Sequence, residues 1–189
     1  MGPTTKAAIA IYLVFALYSG FAVVSVAHNN SQVIGTTVRF SAALRNVTVS
    51  YESVNHPDGT VSYGNFTISA DIVMNGVRDP LDVRVYDISY SVNIMTIEDG
   101  KPGMKAVGSF SFYSMSNPVV VRAGESLVYH TTVNITTDYF EDVVNTSYNQ
   151  GLRYWILTGG LNYQISGFEN LPKNSVTLWR DYSDEEAMP

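Results

Sequence analysis

The chain has 189 residues, 17 acidic against 11 basic side chains, a formal charge of −6 and no cysteine. Nucleic-acid binders draw their non-specific affinity from clustered Lys and Arg, so nucleic acid is not expected as a partner. The missing cysteines exclude disulfides, thiolate zinc sites, iron–sulfur clusters and Cys nucleophiles, and the length suits one domain of roughly 100–150 residues plus an extra segment.

The extra segment comes first. Residues 7–27, from Ala7 to Ala27, are 21 positions without a charge, and about 20 apolar residues cross the hydrocarbon of a bilayer. Lys6 and the chain amine precede the run and His28 follows it. The positive-inside rule then predicts a cytoplasmic N-terminus over 1–6, a transmembrane helix or signal anchor over 7–27, and an extracellular remainder of a single-pass cell-membrane protein. Three fates are open for the segment. A retained anchor fits its length. Ser25 and Ala27 are small residues suited to cleavage before His28, which would leave an N-terminal His able to chelate copper through its amine and ring. Lys6-Ala7 before an unbroken apolar run resembles the class III signal peptides of archaeal type IV pilins. Ala16 and Gly20 have the small-xxx-small spacing that lets helices approach in lipid, and are the candidate membrane-helix contacts.

From Gln32 onward the residues read with period two. Gln32 to Ala42 is long, weakly charged and next to the anchor, which predicts a strand available for donation to a neighbouring copy. Alternating apolar residues then mark strands at Val47–Tyr51, Phe66–Met74, Val83–Ile94, Phe110–Phe112, Val119–Val121, Tyr129–Ile135, Leu161–Ile165 and Val176–Leu178. The apolar phase slips between Val85 and Tyr86, which predicts a bulge. Turn residues separate the runs, among them Pro57-Asp58-Gly59, Asn75-Gly76, Asp99-Gly100 and Ala123-Gly124. Asp138 to about Asn149 reads as the one helix after the membrane segment, with Asp138 and Glu141 spaced as a capping box and Phe140, Val143 and Val144 forming an apolar stripe. The expected fold is mainly β: an immunoglobulin- or fibronectin-like antiparallel sandwich over 28–182, with about seven strands and one short helix, ending in an acidic tail over 183–189.

From about Asn65 to Tyr182 the order of elements resembles the LEA14-like, or water-stress and hypersensitive-response (WHy), domain. The strand Phe66–Met74 leads into Asn75-Gly76-Val77-Arg78-Asp79-Pro80, where the family carries an Asn-Pro-Asn-like turn. Val121-Arg122-Ala123-Gly124-Glu125-Ser126 resembles its Ile-Pro-Ala-Gly turn, with a strand and helix after it. Tyr154-Trp155-Ile156-Leu157-Thr158-Gly159-Gly160 stands where the family has a strand and a glycine-containing corner. The resemblance implies a seven-stranded sandwich with one helix and no catalytic residues. It also implies stress-protective, surface or membrane-proximal roles, sometimes behind a transmembrane helix.

Little else carries chemistry. Asn-x-Ser/Thr sequons begin at Asn29, Asn46, Asn65, Asn134 and Asn145, each a glycosylation acceptor if the domain lies outside the cell. His28, His56 and His130 share no metal-ligand spacing, the loop carboxylates lack a D-x-D-x-D-G calcium pattern, and no G-x-S-x-G elbow or phosphate loop is present. Thirteen Tyr and two Trp form a large aromatic load whose exposed members would favour contact with a partner. The expected function is a non-enzymatic, cofactor-free surface protein in a structural or interaction role. Its expected partners are membrane lipid and other envelope proteins or copies of itself. A pilin-like filament subunit and an accessory subunit of a membrane complex are the alternatives.

Overall fold

The computed structural model describes the backbone of residues 3–76 and 81–184, with side chains from Val14 onward. A helix, α1 (Pro3–Arg39), is followed by β1 (Ser41–Asn55), β2 (Val61–Asn75), β3 (Val83–Glu98), β4 (Lys101–Tyr113), β5 (Val119–Val121) and β6 (Ser126–Asn134). A second helix, α2 (Asp138–Asn149), precedes β7 (Tyr154–Ile165) and β8 (Asn174–Ser183). The protein is mainly β, with eight strands among the described residues. They form a three-stranded sheet, β1-β2-β6, and a five-stranded one, β4-β3-β7-β8, in which β5 pairs with the start of β3; all pairings are antiparallel.

The two sheets close on one core because period-two alternation gives each an apolar face. Phe66, Ile68, Ile72 and Met74 of β2 meet Ile88, Tyr90, Val92 and Ile94 of β3 and Trp155, Leu157 and Leu161 of β7 in one cluster. Each fully buried side chain of this kind contributes about 1.5–3 kcal/mol. Between the sheets the Tyr90 and Thr131 hydroxyls share a hydrogen bond of 2.8 Å, and Thr131 donates to the Ala70 carbonyl at 2.7 Å. At Gly159 a Cβ would stand 2.0 Å from the Ser89 carbonyl oxygen and 2.4 Å from Tyr90 Cα, so β7 approaches β3 as only glycine permits. The expected bulge is present. Val85 faces Tyr163 while Asp87 faces Asn162, so Tyr86 is the extra residue, and both Val85 and Tyr86 are buried.

Several expectations change. Gln32–Arg39 continues α1, and Ser41 and Ala42 pair with Asn75 and Met74 of their own domain, so the segment is not a donated strand. An alternation of a few residues is matched equally by Ile34 and Val38 at helical spacing, and extending an existing helix avoids the cost of a new nucleus. The sandwich therefore begins at Ser41 and not at His28. The capping box does not form: Thr137 is the N-cap, Asp138 is already helical, and Glu141 instead accepts the Asn65 backbone N–H at 3.1 Å. At the other end β8 includes Ser183, and Asp184 is buried with Tyr148 donating to it at 2.9 Å, so neither belongs to a tail; residues 185–189 lie outside the described residues. Among the described residues no helix is long and apolar enough to cross a membrane, and residues 7–13 of the expected span lie outside those whose side chains are described.

Candidate functional site

Large apolar side chains are exposed along the described length of α1, from Val14 through Phe21 and Val26 to Val38. Only its last turn is built into the sandwich. Thr36 is buried there, without a hydrogen-bond partner for its hydroxyl among the described residues. The Tyr163 hydroxyl donates to the Thr37 carbonyl at 3.0 Å, and the Phe40 ring sits 4.6 Å from that of Tyr163. Ala16 and Gly20 are exposed on the helix, and a Cβ at Gly20 would meet nothing within 4 Å among the described residues. These apolar side chains are dense over 14–26 and are interrupted by His28-Asn29-Asn30-Ser31-Gln32 before Ile34 and Val38.

The sequons segregate. Asn46, Asn65 and Asn134 share the outer face of the three-stranded sheet, on β1, β2 and β6. Asn46 and Asn65 hold left-handed backbone (φ 47° and 54°) near register breaks of the β1–β2 pairing, a conformation that Asn tolerates better than most residues. Their amides donate to Asp71 at 2.8 Å and to Glu52 at 2.7 Å, and Asn134 accepts from the Thr67 hydroxyl at 3.1 Å. Asn145 is half-buried on α2 and accepts the Tyr63 backbone N–H at 3.1 Å, whereas Asn29 stands apart and exposed on α1. The strands of the five-stranded sheet carry no sequon. Sequence spacing alone could not reveal this one-sidedness, because the three positions meet only through the β1-β2-β6 pairing.

The three histidines also stay apart. His28 bonds Gln32 on α1, His56 bonds Ser62 at 2.7 Å, and His130 lies 2.5 Å from Asp71. Hydrogen bonds from Asn46 and then His130 hold the Asp71 carboxyl below the ordinary range. Among the described residues no group of three or more His, Cys, Asp or Glu could hold a metal ion.

At the end of the sandwich away from α1, Tyr51, Tyr63, Phe66, Tyr148 and Trp155 form a ring cluster with centroids 5.1–6.2 Å apart. Trp155 Nε1–H donates to the Tyr148 hydroxyl at 3.3 Å, and Tyr148 donates to Asp184. The Arg153 guanidinium covers the rings of Tyr63 and Tyr148 at 5.7 and 5.2 Å. Burial pushes the Tyr148 hydroxyl far up, with the nearby Asp184 charge adding to it. The polar groups of this cluster are paired with one another. A nearby hollow of about 290 Å³ between α2 and the β3–β4 hairpin is lined by Thr96, Glu98, Lys105 and Tyr139 among others, and holds the Lys105–Glu98 pair at 3.0 Å. Among the aromatics, the exposed members on the domain are Tyr113, Tyr139 and Trp179, the last 56% accessible on β8.

The chain matches no protein-family model and no curated protein. Among solved structures it is similar to a protein from Archaeoglobus fulgidus, at 13% identity over 74% of this chain and 96% of that one, with a TM-score of 0.38. It is also similar to the structural-genomics target SoR45, at 10% identity over 80% and 92% with a TM-score of 0.43. A third is the putative ApaA protein from Bordetella pertussis, at 9% identity over 76% and 94% with a TM-score of 0.38.

Proposed function

We propose that this is a non-enzymatic, single-pass membrane protein of the cell envelope, in which α1 anchors a LEA14-like, immunoglobulin-type sandwich on the outer face for structural contacts with other envelope proteins. The observation that carries the reading is the disposition of α1. Its apolar side chains stay uncovered while its last turn is fixed to the sandwich by Tyr163 and Phe40. Leaving that surface in water is unfavourable by roughly 25 cal/mol per Å² of apolar area, which lipid removes. Glycans at Asn46, Asn65 and Asn134 would cover one face and leave the five-stranded sheet, with Trp179, for protein contact.

A filament subunit is the second reading, and one feature favours it. The helix runs unbroken from Pro3 to Arg39, long enough for its first half to pack into a helical bundle while the sandwich decorates the outside. Intact-mass measurement on protein extracted from its native membrane, with and without glycan removal, separates the two. The anchor predicts a polypeptide mass that includes residues 1–27, and a mass decrease on deglycosylation. Loss of only residues 1–6 selects the filament, and a chain beginning at His28 overturns both.

A further inference from the structure

We infer that the end of the sandwich from which α1 emerges is a lipid-contacting rim, with Tyr113, Met115, Leu171 and Lys173 set against anionic headgroups of the membrane that holds α1. The inference rests on the anchor reading above. The topology gathers the rim: β1 leaves α1 at this end, and the antiparallel pairings bring the ends of β4 and β7 and the start of β8 to it.

The level of the rim follows from the joint. Tyr163 is bonded beside Thr37, and β7 continues to Ile165, roughly 7 Å further at about 3.3 Å per residue, before the loop to Lys173 begins. From Thr37 back to His28, where the apolar run has ended, α1 covers about 14 Å at 1.5 Å per residue. Gln32, Val33 and Gly35 on one side of the helix are half-buried, whereas Ile34 and Val38 on the other side are 63% and 77% exposed. On the anchor reading, with α1 continuing the line of β7 from this joint, the loop is placed between Thr37 and the hydrocarbon, close to an interfacial layer about 5–7 Å thick.

The chemistry suits that layer. Tyr113, Met115 and Leu171 are 65%, 53% and 41% exposed, an aromatic and two apolar side chains on a surface that water alone would not favour. Lys173 Nζ lies 3.5 Å from Met115 Sδ and within 6 Å of the Tyr86 and Tyr113 ring centroids, so its charge sits among the apolar side chains of the rim. The loop is pre-set, because the buried Gln164 amide donates to the Glu169 and Leu171 carbonyls at 3.1 and 3.0 Å. Arg122 and Lys173 stand at this end with the exposed Glu125, while Glu169 is paired with Arg84 at 3.2 Å and Asp82 accepts the Ala123 N–H at 3.0 Å. Glu52, Asp58, Glu98, Asp99, Asp138 and Asp142 lie at the opposite end against Lys101, Lys105 and Arg153, so the acidic excess points away from an anionic surface.

The absence of native cysteine makes single labels unambiguous. Full-length Met115→Cys, Leu171→Cys, Val24→Cys and Asp58→Cys proteins carry a nitroxide and are reconstituted in phosphatidylcholine–phosphatidylglycerol vesicles. Oxygen and a water-soluble nickel chelate then report lipid and water access. Labels at 115 and 171 are expected to be shielded from nickel and open to oxygen relative to 58, with the 24 label in hydrocarbon. Lys173→Gln is expected to lower rim contact about fivefold, the equivalent of about 1 kcal/mol per basic residue near an anionic surface. If 115 and 171 match 58 while 24 reports lipid, the rim is overturned and the anchor stands; if 24 is as wet as 58, the anchor reading itself fails. Equal rim contact in pure phosphatidylcholine overturns the anionic preference.

Discussion

The two ends of the sandwich are both rich in tyrosine and use it in opposite ways. At the end far from α1, Tyr51, Tyr63 and Tyr148 face one another around Trp155, with Arg153 on their rings and Asp184 taking the Tyr148 proton donor. At the α1 end, Tyr113 stands in the open beside Met115 and Lys173. The same side chain is a core element where its hydroxyl finds a buried acceptor, and a contact element where its ring is left uncovered next to a cation. Internal satisfaction thus sets the far-end cluster apart from Tyr113, whose ring is uncovered at the α1 end.

The most damaging test of that contrast is Tyr148→Ala, which removes a buried ring, strands Trp155 Nε1–H and takes from buried Asp184 one of its hydrogen-bond donors. A loss of about 3–5 kcal/mol is expected for a large aromatic truncated in a core, read by urea unfolding of the full chain in detergent followed by near-ultraviolet circular dichroism. Alkali should sharpen the same point. Burial raises the hydroxyls of Tyr51, Tyr90, Tyr148 and Tyr163 above their ordinary value. Above about pH 10 the unfolded chain releases these protons while the folded one retains them, so stability is undiminished below that pH and falls as pH rises through it. Tyr148→Phe should flatten the fall, and an unchanged slope would show that Tyr148 does not hold its proton in the fold. The smallest effect belongs to the α1 end: Tyr113→Ala should leave stability within about 0.5 kcal/mol, as exposed substitutions do. A loss comparable to that of Tyr148→Ala would make Tyr113 a packing residue and abolish the contrast.

Much of this fold is legible in residue order because its signals are local. The alternation at Phe66–Met74, the phase slip at Val85–Tyr86 and the apolar stripe of α2 each need only neighbouring positions to be read, and each has its structural counterpart. The end of α1 was not legible, since Gln32–Arg39 is too short to separate a period of two from one of 3.6. Nor was the far-end cluster, whose members come from β1, β2, α2, β7 and the residue after β8, or the gathering of Asn46, Asn65 and Asn134 on one sheet face.

Residue order by itself determined that the chain has one long uncharged segment, a cysteine-free β domain and sequons at five positions, because composition and periodicity are properties of single stretches. Tertiary structure alone decided that the helix continues to a joint at Tyr163, that three sequons share one face, and that Tyr148 is hidden while Tyr113 is not. Those outcomes depend on which strands pair and in what register, and strand pairing joins residues that no local pattern connects.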